Sequence, residues 1–252
     1  MLNYLRSEWY RTVRCKYLYV SVGVVVLLAA AYFALIRFNQ IAFGFEQMLP
    51  FLALLVPSTG FYAILLVNDA AFSDEHKHGT MKNTISYGVS RPAVYFGKLL
   101  NCLVFCILSL AALVALIIGA GILLGGVEDW QVFWQNMEFF GKNLLASFPL
   151  WLCGAAAANA FSCNIRSSVG WGFAYIGVFN GFNLLLRALS GTIPVCRTIR
   201  GYLPSYLISR LGEGALLDDS GALMGLCWTV GLAATVIFMA AGLAVFRRAE
   251  VK

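Results

Sequence analysis

Charge is what this chain has least of. Lys, Arg, Asp and Glu together make 12% of its 252 residues, against roughly 25% in a soluble globular domain. No acidic or basic tail holds that little charge apart. Histidine is scarcer still. His76 and His78 are the only two, and two residues apart on a helix they diverge, with no cysteine nearby, so they read as solvated surface. The seven cysteines, Cys15, Cys102, Cys106, Cys153, Cys163, Cys196 and Cys227, form no CxxC pair and no Cys/His cluster at zinc spacing. They read as small apolar packing residues. No GxxxxGK[ST] loop is present to cradle ATP phosphates, and no His-Glu-x-x-His or Gly-x-Ser-x-Gly pattern offers a catalytic set. The apolar segments carry essentially no ionisable residue at their centres. Charge inside a membrane is costly and marks function, so this absence argues against an ion-coupled pump with a carboxylate relay. It argues equally against an intramembrane metalloprotease, and the lack of a clustered catalytic set at the interface disfavours an enzyme of lipid metabolism.

What is present is apolar surface. Hydrophobic residues make 60% of the chain, and 24 glycines accompany them, small enough to let helices approach closely in lipid. A helix needs about 20 apolar residues to cross the hydrocarbon core. Six segments qualify: 17–36, 48–68, 99–124, 144–162, 169–187 and 222–246. The fourth and fifth are rich in Gly, Ala and Asn and are separated by only a short polar turn. The fold class is therefore all-α: one polytopic transmembrane domain over 1–252. Six spans put both termini on one side. That side carries 12 of the 18 lysines and arginines, so the positive-inside rule makes it cytoplasmic. The net charge of +6 thus reports topology rather than nucleic-acid binding. Trp130, Phe133, Trp134, Tyr17 and Tyr19 fit as anchors at headgroup level.

Three segments are neither span nor plain loop. Residues 1–16 form no secretory signal, being polar-rich and followed by too long an apolar run. Leu2, Leu5, Trp9 and Val13 recur at helical spacing while Arg6, Arg11 and Arg14 mostly face elsewhere, which predicts an amphipathic helix at the headgroup boundary. A docking surface for a cytoplasmic partner is the alternative. Residues 69–98 are long, polar and cytoplasmic by this topology, and connections of that length are usually functional or internally structured. Helix-compatible pieces at 70–78 and 81–86 are broken by Gly79 and Gly88. Pro92 suits the first turn of a further helix capped by Ser90. Residues 188–221 lie on the outer side, with Pro194, Pro204 and apolar stretches too short to span but able to dip into the interface. Within the spans stand three amides, Asn159, Asn180 and Asn183, and a GxxxG formed by Gly177 and Gly181. These suit interhelical glue or a dimer contact, or the lining of a polar conduit.

These features together resemble the membrane subunits of type-2 ATP-binding cassette exporters, the six-span half-transporters that include bacitracin- and lantibiotic-resistance permeases. The likeness rests on the start LNYLRSEWYRTVRCK, on the block EHKHGTMKNTISYGVSRPAVYFGKLL with its E-x-x-x-G-T element and G-V-S-R turn, and on the outer segment with YLPSYLI. The resemblance implies a permease with no catalysis and no cofactor of its own. ATP and Mg would belong to a separate cytoplasmic ATPase chain. It implies contact with that chain through a coupling helix around Glu75, Gly79, Thr80, Met81 and Lys82, with Arg91 capping the return to the membrane. It implies pairing with a second permease subunit, identical or not, in a bacterial plasma membrane, and short re-entrant helices closing the outer pathway. The expected cargo is a peptide antibiotic or another amphipathic molecule. The competing reading is an ATP-independent membrane protein: an immunity or receptor-like protein, or a scaffold.

Overall fold

A computed structural model describes residues 2–14, 16–38, 45–78, 86, 88–165, 167–217 and 220–248. Among the described residues there is no strand. The chain begins with α1 (Leu2–Val13) and α2 (Lys16–Phe38). Next come α3 (Phe45–His78) and α4 (Arg91–Ala120), whose last turn widens into a π-turn at Gly121–Gly125. The fifth helix, α5 (Trp130–Asn164), is followed by α6 (Ser168–Ile176), a second π-turn (Gly177–Gly181) and α7 (Phe182–Leu189), which run on as one rod. Two short helices, α8 (Pro194–Gly201) and α9 (Pro204–Gly212), precede α10 (Ser220–Arg248).

Five helical stretches are long and apolar enough to cross a membrane: Phe45–Ala70, Arg91–Leu124, Trp130–Asn164, Ser168–Leu189 and Gly221–Arg248. They correspond to the second to sixth expected spans. The first expected span falls on α2, which is helical over 23 residues.

The helices outrun the spans read from hydropathy, for identifiable reasons. Residues 70–78 belong to the same helix as the second span rather than to a separate surface piece. No glycine or proline interrupts α3 after Gly60, and Asn68 and Phe72 are both buried, so tertiary contacts hold the helix past the apolar run. At the start of α5, the Asp129 carboxylate accepts from the backbone N–H of Gln131 (2.7 Å) and Val132 (3.2 Å), an N-cap. That cap places Trp130, Phe133 and Trp134 inside the helix. Pro149 sits within α5 without ending it.

The core is organised around α5. Two thirds (67%) of its most apolar stretch is buried, against 11% for α4. The run 154–160, GAAAANA, is buried throughout. Small side chains there let neighbours come close, as packing in lipid requires. A Cβ on Gly231 of α10 would lie 2.6 Å from the Pro149 carbonyl carbon, and one on Gly242 would lie 2.5 Å from Ala160 Cβ. Large rings fill the other side: Phe61, Trp171, Tyr175 and Phe179 form one buried cluster. Cys102, Cys153, Cys163 and Cys227 are buried, in keeping with packing residues.

Candidate functional site

The end of the bundle that carries α1 gathers five chain segments: α1, the last turns of α3, the first turns of α4, the last turn of α5 and the end of α10. What fixes α1 there is polar. Tyr4, Glu8 and Thr12 recur every four residues and form its buried stripe. Lys98 of α4 has no exposed surface, and its Nζ lies 3.3 Å from Glu8 Oε2. Arg11 reaches the same carboxylate oxygen at 2.7 Å from a more exposed position. The Asn101 amide donates to the Thr12 hydroxyl at 2.7 Å. The Lys98 ammonium also stands 4.5 Å over the Phe72 ring of α3, a contact worth about 2 kcal/mol where water is excluded. One buried cation therefore ties α1, α3 and α4 together. Gly97 makes the approach possible, because a Cβ there would lie 2.7 Å from the Tyr4 ring.

The apolar face expected of α1 is partly exposed. Trp9 is 41% and Val13 37% exposed, with the Trp9 ring 4.6 Å from Phe105 and Leu5 half-buried at the edge. Leu2 opens the helix. Sequence periodicity thus finds the outward face and misses the inward one, since Tyr-x-x-x-Glu-x-x-x-Thr has no apolar signature. Its signal is the i, i+4 polar repeat facing a lone lysine in the first turns of the next long apolar helix.

Arg91 donates from one terminal nitrogen to the carbonyls of Phe246 (3.2 Å) and Arg247 (2.8 Å). Those carbonyls have no partner within a helix end, and a cation there also complements the helix dipole. Arg91 therefore caps α10 while starting α4. Pro92 occupies the first turn of α4 as expected, and Ser90 stands at its N-cap without a side-chain cap bond. The turn before it needs Gly88, whose φ is 89°. Glu75 lies in the last turns of α3. Gly79, Thr80, Met81 and Lys82 lie outside the described residues.

At the far end the working elements are the second π-turn and α9. A π-turn adds a residue to the helix and disturbs its hydrogen-bond ladder. The Phe179 carbonyl within it accepts from the buried Ser205 hydroxyl of α9 at 2.7 Å. Asn180, also within it, accepts from the Tyr62 hydroxyl of α3 at 2.7 Å. Asn183 accepts from Arg200 Nε at 2.9 Å. The third amide, Asn159, sits fully buried in α5 and donates to the Tyr95 carbonyl at 3.3 Å. The three amides thus bind three different elements, α3, α8 and α4. Gly177 and Gly181 have open space beside them and border an open apolar groove with Val178, Phe182, Leu184 and Leu185.

Helix α9 is inserted. Pro204, Ser205, Leu207, Ile208 and Leu211 are all buried. A Cβ on Gly212 would lie 3.3 Å from the Leu54 carbonyl oxygen of α3. Glu46, at the first turn of α3, is buried and accepts at Oε2 from the Glu128 backbone N–H at 3.3 Å. Helix α9 thus packs against the bundle at the end opposite to the one where α1 is held. Among the described residues no three metal-ligating side chains come together.

A family model described as ABC-2 family transporter protein matches residues 4–168. The chain belongs to this family. The match runs from α1 through α5 and takes in the Glu8–Lys98 pair and the 69–98 block. The far-end helices α8 and α9 lie beyond it. No curated protein matches the chain. An ABC-2 protein is a membrane transport component, so this is a multi-pass permease of the ATP-binding cassette class.

Proposed function

We propose that this ABC-2 protein is the membrane half of an exporter driven by a separate ATP-hydrolysing chain. The observation that carries the reading is the convergence of α1, α3, α4 and α10 at one end of the bundle, the first three of them inside the region matched by the family. A partner docked on residues 69–98 would push on α3, and the buried Lys98 would pass that push to α1 and α4. Glu75, Gly79, Thr80, Met81 and Lys82 form the docking element, with Arg91 fixing the return helix. That end faces the cytoplasm, where Arg6, Arg11, Arg14, Lys77, Arg247 and Arg248 also lie. Helix α2 serves as the sixth span, and α1 lies at the headgroup level. Two such subunits pair, with Gly177 and Gly181 offering a close-packing surface, and α9 closes the pathway as a re-entrant helix. The cargo is a peptide antibiotic or another amphipathic molecule, in a bacterial plasma membrane. The permease performs no bond chemistry. ATP and Mg act on the partner, and the permease converts differential partner binding into a shift between two arrangements of the bundle.

The test is co-purification of the detergent-solubilised chain with a co-expressed ATP-binding chain. Glu75→Ala and Gly79→Pro should weaken the complex while the protein still inserts. Association unchanged by both substitutions would remove the docking element from this position. No association under any nucleotide condition would remove the ATPase partner itself.

A further inference from the structure

Helices α8 and α9 are nearly equal in length and separated only by Tyr202 and Leu203, yet they are opposites. Helix α9 is buried along its length, whereas α8 has no buried residue. The residues of α8 sort by face. Val195 and Ile199, four apart, are 63% and 45% exposed. Arg197, two residues from Val195, projects from the opposite side of the helix, and Arg200 lies toward that side. The preceding helix repeats the pattern with exposed Leu185 and Leu189 beside Arg187. Exposed apolar pairs therefore stand on both consecutive helices, with Arg187 and Arg197 on the opposite faces and Arg200 toward that of Arg197.

Those cations have no carboxylate partner among the described residues. One of them is held in place: Arg200 donates through Nε to Asn183 and stacks 4.5 Å over the Tyr206 ring. Such a grip fixes one edge of the guanidinium and leaves its two terminal amino groups to bind a further acceptor. Arginine forks match phosphate oxygens two at a time. A second copy of the chain is a poor occupant. A two-fold contact through α8 would bring the same arginines face to face.

We propose that α8, together with Arg187, is a binding element for anionic phospholipid in the leaflet opposite α1. Val195 and Ile199 enter the acyl region, and Arg187, Arg197 and Arg200 hold the phosphodiester headgroup. An amphipathic helix with this division of faces lies in the interface plane. Helix α9, hydrogen-bonded to the π-turn, is then linked through two residues to a lipid-anchored lever, so headgroup charge on that leaflet biases its position.

The test uses the full purified chain. Native mass spectrometry of the protein titrated with phosphatidylglycerol or phosphatidylcholine should show preferential retention of phosphatidylglycerol. The triple variant Arg187→Gln, Arg197→Gln, Arg200→Gln should lose that preference by about fivefold per arginine. Lys142→Gln, which removes an exposed cation paired with Glu138 at 2.7 Å, should leave it unchanged. In vesicles of mixed phosphatidylglycerol and phosphatidylcholine, phosphatidylglycerol with a photoreactive acyl chain should label wild-type residues 195–199. Undiminished preference in the triple variant overturns the proposal. So does absence of label on α8, or a cross-link from α8 to a second copy in its place. None of these readouts involves an ATPase, so they stand or fall apart from the exporter reading.

Discussion

Replacing Glu8 with Gln should loosen α1 more than any other single change in that helix. Lys98 has no exposed surface and Glu8 is 4% exposed, so the pair sits away from water. Removing one partner of a buried pair costs about 3–5 kcal/mol, because the remaining charge keeps its desolvation penalty. Lys98→Met should cost less, about 2 kcal/mol, since the Glu8 carboxylate retains Arg11 at 2.7 Å. The double change Glu8→Leu with Lys98→Met should recover most of the loss, because an apolar pair in the same space strands no charge. The expected event is local detachment of α1 rather than global unfolding. Limited trypsin digestion in mild detergent reads it directly, as Arg6, Arg11 and Arg14 become cleavable. A loss of 3–5 kcal/mol raises the opened fraction on the order of a hundredfold or more. Trp9 emission should shift as its ring leaves Phe105. If the double variant is as cleavable as Glu8→Gln, or if neither single change raises cleavage, the ion pair does not hold α1.

Other substitutions separate tight contacts from open ones. Gly231→Ala should lower the thermal midpoint, by about 1–3 kcal/mol of overpacking, because the new methyl meets the backbone of Pro149. Gly225→Ala on the same helix meets nothing within 4 Å and should be neutral. Ser205→Ala should cost about 1–2 kcal/mol by stranding the Phe179 carbonyl, measured as faster amide exchange in α9. Arg91→Met should uncap α10, with a loss of roughly 1 kcal/mol read as faster exchange in the helix that follows 245–248 back toward its core.

Hydropathy finds the lipid-crossing helices because twenty apolar residues in a row have one physical use. It does not find where those helices end, because polar contacts act there: Asp129 on two amide nitrogens starts α5, Arg91 binds the close of α10, and Asn68 on the Ala158 carbonyl at 3.3 Å helps hold α3 beyond its apolar run. The hold on α1 is hidden for a related reason. Glu8 and Lys98 are 90 residues apart in sequence, and each alone looks like surface charge near a membrane. The π-turn is invisible as a pattern, since GVFNG also reads as an ordinary small-residue helix face. The likeness of α8 and α9 in length and in proline start conceals that one is buried and the other exposed. Only the neighbours that reach Ser205 and Leu207 distinguish them.

The most direct test of the exporter reading is site-specific photo-cross-linking in membranes that hold both this chain and its ATP-binding partner. A photoreactive residue at position 75 or 82 should capture the ATP-binding chain, with a yield that changes between ATP-bound and nucleotide-free conditions. The same residue at position 195 should capture none. Capture at position 195 alone, or at none of the three positions in either nucleotide state, would contradict the assignment of the 69–98 block as the site where ATP hydrolysis is coupled to movement of the bundle.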